Sequence, residues 1–166
     1  MAETGDAVPL TKGVLVVDKA LCSACRTCEG VCSVFHHGVS DPGLSRIQVT
    51  ADFLDIEFSP KICYQCTDPL CLDACPSDAI HVDPKTGARV VNEDECSGCG
   101  LCIDACGDYF NPPRVRLDDA RQVALKCDLC SGDPQCARFC PTGALTYAHD
   151  NSGIRSGHPL KEREHV

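Results

Sequence analysis

The chain has 166 residues, room for one or two small domains, and sixteen of them are cysteine. With no Trp, three Tyr and five Phe, it is short of the large side chains that normally fill an interior, so disulfides, metal ions or inorganic clusters must take part of that role. The formal net charge of −9 argues against direct nucleic-acid binding, which needs a Lys/Arg surface to neutralise phosphate.

In chain order, residues 1–12 contain Glu3 and Asp6 and no apolar core segment, unlike a secretory signal. No run approaches eighteen apolar residues, so no membrane insertion is expected. Both readings point to the cytoplasm, where thiols stay reduced and clustered cysteines usually mean metal. Residues 14–17 (Val-Leu-Val-Val) read as a buried strand leading into Cys22, Cys25, Cys28 and Cys32, with helical turns expected over 29–35. Segments 47–49 and 56–58 form a second expected strand pair before Cys63, Cys66, Cys71 and Cys75, which end on a helical turn at 72–75. Residues 80–82 and 89–91 flank Asp83-Pro84-Lys85-Thr86-Gly87 as a hairpin. Cys96, Cys99, Cys102 and Cys106 follow, with a helix expected at 101–104. Strand 123–125 leads into Cys127, Cys130, Cys136 and Cys140, with a helical turn at 136–139 and a strand at 144–147. The ends, 1–12 and 148–166, are polar and read as disordered, or as arms that fold onto a partner or another copy.

The four groups of four leave no cysteine over. The first and third share C-x2-C-x2-C-x3-C; the second widens the middle gap to four residues and the last to five. This is the ferredoxin pattern, in which three cysteines of a run hold one 4Fe–4S cluster and the fourth reaches the cluster of another run. A tight loop can wrap three thiolates around a cube, and the residue after a gap of three faces the other way. Pro76 and Pro141 complete the usual Cys-Pro ending, whereas Ser33 and Gly107 replace it in the other two groups. Zinc fits three cysteines in close succession poorly, since it prefers separated pairs. Disulfides suffer the same crowding. Fewer than four clusters is a further alternative. Each unit reads as strand, cysteine loop, short helix, strand, and two units make one α+β ferredoxin-like module.

Other features are secondary. Arg26 lies in the first loop and Lys126 precedes Cys127; cations so placed raise a cluster's potential, or else serve solvation or docking. His36 and His37 are expected in structural or hydrogen-bonding roles, because the thiolates already complete four sites. Asp78, Asp104 and Asp108 sit beside cysteines with no nucleophile in view and read as loop or cap residues. There is no GxGxxG run and no P-loop, hence no sign of a nucleotide or flavin site, and no catalytic centre is expected.

With all four groups placed, the chain resembles the four-cluster ferredoxin-type electron-transfer subunits of multi-subunit oxidoreductases. These include the iron–sulfur subunits of dimethyl sulfoxide reductase, formate dehydrogenase and hydrogenase, and carbon monoxide dehydrogenase complexes. The resemblance covers roughly residues 14–147. It is carried by Cys22-Ser23-Ala24-Cys25-Arg26-Thr27-Cys28-Glu29, Ser45-Arg46-Ile47, Lys126-Cys127-Asp128-Leu129-Cys130 and Cys140-Pro141-Thr142-Gly143-Ala144. With Phe35-His36-His37-Gly38 added, the short form is most similar to the small subunit of tungsten-containing aldehyde oxidoreductases; related small subunits serve tungsten benzoyl-CoA reductases.

Spacing alone does not choose between nested and sequential pairing of the groups. The resemblance implies nesting, with four 4Fe–4S clusters held by Cys22/Cys25/Cys28/Cys140, Cys127/Cys130/Cys136/Cys32, Cys63/Cys66/Cys71/Cys106 and Cys96/Cys99/Cys102/Cys75. An inner module at 60–111 would then be inserted in an outer one at 13–59 and 112–147. It also implies a large molybdenum- or tungsten-pterin catalytic subunit on one side and a flavin/NAD or ferredoxin partner on the other. Self-association into a longer cluster chain, and a free diffusible polyferredoxin, are further expectations.

Overall fold

The computed structural model describes residues 11–149. It places there eight short strands in four antiparallel pairs, four α-helices and three 3₁₀ turns. β1 (Gly13–Val17) pairs with β8 (Leu145–His149), Val17 lying opposite Leu145 and Gly13 opposite His149. The remaining pairs are local hairpins: β2 (Gln48–Asp52) with β3 (Glu57–Lys61), β4 (Ile80–Val82) with β5 (Arg89–Val91), and β6 (Arg116–Asp118) with β7 (Val123–Leu125). The fold is a ferredoxin-like α+β arrangement.

The helices are α1 (Thr27–His37), α2 (Leu70–Asp73), α3 (Leu101–Gly107) and α4 (Gln135–Arg138). α1 packs on α4, and α2 on α3. α1 stops at Gly38, whose φ of 73° lets its amide turn back to Val34 O at 2.9 Å, a left-handed cap that glycine adopts without strain. Gly13 has a different reason to be glycine. A Cβ there would come within 2.4 Å of the Tyr147 ring, so the β1–β8 pair closes only over a missing side chain.

Two apolar clusters hold these elements, and the cysteines divide between them. One joins Leu15, Ile47, Val49, Ile62, Leu129 and Leu145 to Cys28, Cys32 and Cys136, with Cys127 and Cys140 at its edge. The other joins Ile80, Val115 and Ala124 to Cys102, with Cys71, Cys75, Cys96 and Cys106 packed on it. Sulfur thus supplies much of the buried apolar surface that aromatic residues provide elsewhere.

Every strand and helix expected from sequence is present, with ends shifted by a few residues. Strand β6 was not expected, because Arg-Leu-Asp carries one apolar residue and no legible alternation; it forms because β7 offers it an edge. The expectation of free tails fails at both described margins. Ala148 and His149 continue β8, and Thr11 is buried with its hydroxyl donating to Gly13 O at 2.7 Å. Lys12 N donates to Thr86 O at 2.8 Å. The rest of both tails, 1–10 and 150–166, lies outside the described residues. Among the described residues no helix is long and apolar enough to cross a membrane.

Leu145 is 1% exposed and packs where the two ends of the chain meet. Leu145→Ala is expected to lower stability by about 2–5 kcal/mol through lost burial and a residual cavity. Anaerobic denaturant unfolding followed by circular dichroism checks this.

Candidate metal centres

Each cysteine group is built on the same backbone turn. The residue two places after the leading cysteine has a positive φ in all four loops: Ala24 (56°), Gln65 (51°), Gly98 (67°) and Leu129 (57°). Left-handed residues within otherwise right-handed turns swing successive N–H groups to one side, forming the anion-receiving nests typical of phosphate and Fe–S sites. Gly98 is also constrained by space, since a Cβ would meet Gln122 O at 2.3 Å. In the first and third loops a second left-handed residue, Arg26 or Gly100, caps the helix that follows.

Those helices carry two cysteines each. Cys28 and Cys32 are four residues apart on α1, and Cys102 and Cys106 four apart on α3, so each pair shares a helix face one turn apart. Cys71 and Cys136 lie within α2 and α4, while Cys75 and Cys140 follow just after those helices end. This explains the missing prolines. Pro76 and Pro141 come after a finished helix, whereas Ser33 is interior to α1 and Gly107 ends α3, where a proline would remove a hydrogen bond and clash with the preceding turn.

The side chains converge in sets that mix groups. Cys63, Cys66, Cys71 and Cys106 line one cavity. Cys127, Cys130, Cys136 and Cys32 line a second, with Cys63 also in its lining. Cys96, Cys99, Cys102 and Cys75 line a third. Cys28 has Cys25 and Cys140 as electrostatic neighbours, and Cys22 stands at the start of that loop, its amide closing a 3₁₀ turn onto Lys19 O at 3.1 Å.

The donor set, four or more thiols to each of three cavities, suits an iron–sulfur cluster better than a single zinc ion. All sixteen cysteines are unbridged. Four sulfurs around one zinc would stand about 3.8 Å apart, given Zn–S bonds near 2.3 Å. Among the described residues, the one trio of His, Cys, Asp or Glu donor atoms all within 4.8 Å is His36, Asp128 and Cys130, with a single sulfur. The sulfurs are spread wider than one ion allows.

Burial makes these thiols poor acids by themselves. It pushes Cys28 and Cys71 up to about 12 and Cys102 and Cys130 up to about 11, with neighbouring sulfurs adding to the rise. Only a group that binds thiolate returns that energy. Backbone N–H groups are already aimed at several sulfurs: Arg46 N to Cys32 Sγ at 3.3 Å, Arg114 N to Cys106 Sγ at 3.1 Å, and Ala124 N to Cys96 Sγ at 3.4 Å. At Cys75 and Cys140 burial raises the pKa, but bonds from Ile80 or Leu145 amides and from Ser77 or Thr142 hydroxyls prevail and lower it.

The Ser45-Arg46-Ile47 motif now has a cause. Ser45 is fully buried, and its hydroxyl donates to Ile47 O at 2.7 Å and receives Ile47 N at 3.2 Å, locking the turn that presents the Arg46 amide to Cys32. Arg46 itself pairs with Asp128 at 2.8 Å and Glu93 at 3.4 Å. His36 Nε2 lies 3.7 Å from Cys130 Sγ and 3.5 Å from Asp128, and burial, with Arg46 nearby, lowers its pKa to about 4. Arg26 pairs with Glu29 at 3.4 Å. Asp78, Asp104 and Asp108 are exposed, and Asp108 caps α3. Sequence reasoning missed Gln65, Arg89 and Arg114, all buried around the Cys63 cavity. Only the position of Gln65 within a cysteine loop could have drawn attention to it.

This geometry agrees with the comparisons. Residues 54–150 match the family described as the 4Fe-4S dicluster domain, and the chain belongs to that family; it spans less than two thirds of the length of several of the curated relatives it matches. It is 45% identical over 120 residues to the "Aliphatic sulfonate oxidoreductase, polyferredoxin-like subunit" of Pyrococcus furiosus, covering 72% of this chain and 66% of that protein. It is 33% identical over 174 residues to formate hydrogenlyase subunit 2 of Escherichia coli K12, covering 84% and 83%. The fold is also that of a chain in the active-site complex BamBC of benzoyl-coenzyme A reductase with zinc, at a TM-score of 0.51, 24% identity and coverage of 90% and 83%.

Because α1 runs through position 33, Ser33→Pro is expected to destabilise the protein by about 3 kcal/mol or more. Pro76→Ala, after the end of α2, is expected to change stability by less than about 1 kcal/mol. Parallel denaturant melts of the two variants compare them.

Proposed function

We propose that the chain relays electrons through four 4Fe–4S clusters held by Cys22/Cys25/Cys28/Cys140, Cys127/Cys130/Cys136/Cys32, Cys63/Cys66/Cys71/Cys106 and Cys96/Cys99/Cys102/Cys75. When bound, such clusters supply one-electron redox chemistry whose potential is set by charge, hydrogen bonds and exposure. The observation that carries the reading is the convergence of cysteines from separate groups on shared cavities, each wrapped by a left-handed turn. The division into an inner module at 60–111 within an outer one at 13–59 and 112–147 is supported by the β1–β8 pair and by the helix partners, although Ile62 packs in the first apolar cluster and Val115 and Ala124 in the second, across those bounds.

The sites also read as a line. Cys136 has Cys28 as an electrostatic neighbour, which joins the first two sets, and Cys127 has Cys63, which joins the second and third. α2 and α3 join the third and fourth. Cys25 and Cys99 are exposed while the other cysteines are half-buried or buried. They belong to the two end sets, which suits electron entry and exit there.

The proposed partners are a large molybdenum- or tungsten-pterin catalytic subunit, of the aldehyde oxidoreductase kind, and a flavin/NAD or ferredoxin partner. The likeness to a subunit named polyferredoxin-like supports a place in a complex rather than free diffusion. Unbridged cysteines suit the reducing cytoplasm.

Protein purified anaerobically from its own cells by a tag on this chain is expected to bring down a large subunit. It should carry about sixteen iron and sixteen acid-labile sulfide atoms per chain. Zinc in place of iron would overturn the cluster reading. Full iron with no companion subunit would instead point to a diffusible polyferredoxin.

A further inference from the structure

The four cysteine sets differ sharply in their charged surroundings. Arg89, Arg114 and Lys126 all line the cavity of Cys63, Cys66, Cys71 and Cys106, and they are 0%, 8% and 2% exposed. Lys126 Nζ donates to Arg89 O at 2.6 Å and reaches Cys63 Sγ at 3.3 Å and Gln65 Oε1 at 3.5 Å. Gln65 is itself tied to both cysteine regions, accepting Arg89 N at 2.7 Å and donating Nε2 to Cys127 O at 2.7 Å. Arg89 spends Nη1 on Gly87 O, while its Nε and Nη2 have no hydrogen-bond partner among the described residues. Cys66, Cys63 and Cys71 are the opposite charges it senses. Arg114 lies over the rings of Phe110 and Tyr64, at 5.1 and 5.9 Å. The one carboxylate in the lining, Asp68, is exposed and screened by water. Buried cations without paired carboxylates are costly unless an anionic group faces them.

The other sets have no such excess. Arg46, beside Cys32 and Cys130, is neutralised by Asp128 and Glu93. No charged residue lines the cavity of Cys75, Cys96, Cys99 and Cys102. Beside Cys28 sits the buried carboxylate of Glu29, which accepts Val49 N at 2.7 Å and whose partner Arg26 is largely exposed.

Resting on the four-cluster reading, we propose that Lys126, with Arg89 and Arg114, makes the Cys63/Cys66/Cys71/Cys106 centre the highest-potential of the four. It is the interior position at which an electron rests before moving on. The compensating positive charges are already in place, so uptake of one electron there requires no proton and breaks no bond. Lys126 also sits at the junction with Cys127, which places this centre on the step between the two cysteine cores.

The test is a potentiometric EPR titration with dithionite as reductant on the wild-type chain, Lys126→Met and Lys126→Arg, with iron counted in each. Lys126→Met should keep wild-type iron, and its highest-potential signal should become at least tenfold harder to reduce, a downward shift of about 59 mV or more for one electron. The Cys127 centre, which Lys126 also faces, should shift less, the other two signals should stay, and Lys126→Arg should restore the first. Should Lys126→Met fail to load iron, Cys66→Ser assigns the signal instead: the highest-potential one must be the one that changes. A highest-potential signal untouched by Lys126→Met at full iron, or altered by Cys99→Ser in place of Cys66→Ser, overturns the inference alone. Wild-type iron short of four clusters overturns the underlying cluster reading, and the inference with it.

Discussion

The structure depends on burying thiolate. Fourteen of sixteen cysteines are half-buried or buried in a small chain poor in aromatics, and burial holds Cys28 and Cys71 as thiols far above neutral pH unless something binds them. The backbone, cations and helix positions answer that one electrostatic demand. Left-handed residues at the same offset in all four loops turn amides inward. Amides of Arg46, Arg114 and Ala124 reach sulfur directly. In a domain of this size the metal-binding energy becomes part of the folding energy.

The second constraint is geometric. An i,i+4 pair on one helix face holds its two sulfurs one turn apart along the axis, too far for both to serve one tight loop. α1 carries Cys28 beside Cys25 and Cys140, and Cys32 into the cavity of Cys127, Cys130 and Cys136, while α3 sends Cys102 and Cys106 to two different cavities. The shorter α2 and α4 do the same with a cysteine just past the helix, where proline is tolerated. The two styles of ending are one solution applied to long and short helices.

Electrostatic asymmetry then separates sites that the cysteine spacing makes look alike. Uncompensated cations gather at Cys63, compensated ones near Cys32, none line the cavity at Cys96, and a buried carboxylate lies beside Cys28. In a buried setting such charges act at low effective dielectric, so differences of one residue matter. The difference in charge among the cysteine sets comes from residues other than the cysteines themselves.

The sequence alone determined the chemistry and the local elements. Cysteine number and spacing specify loops that wrap a cluster, and short β-branched runs specify the flanking strands, because both are local consequences of chain geometry. It also carried the anchoring motif Ser45-Arg46-Ile47, although not its reason. The tertiary structure alone decided which cysteines meet, that β6 exists, and that Thr11 and His149 are held rather than loose. It also decided that Arg89, Arg114 and Lys126, far apart along the chain, share one cavity with Cys63. Those outcomes depend on contacts between residues tens of positions apart. Spacing along the chain carries no record of such contacts, because packing and burial, not local geometry, select them.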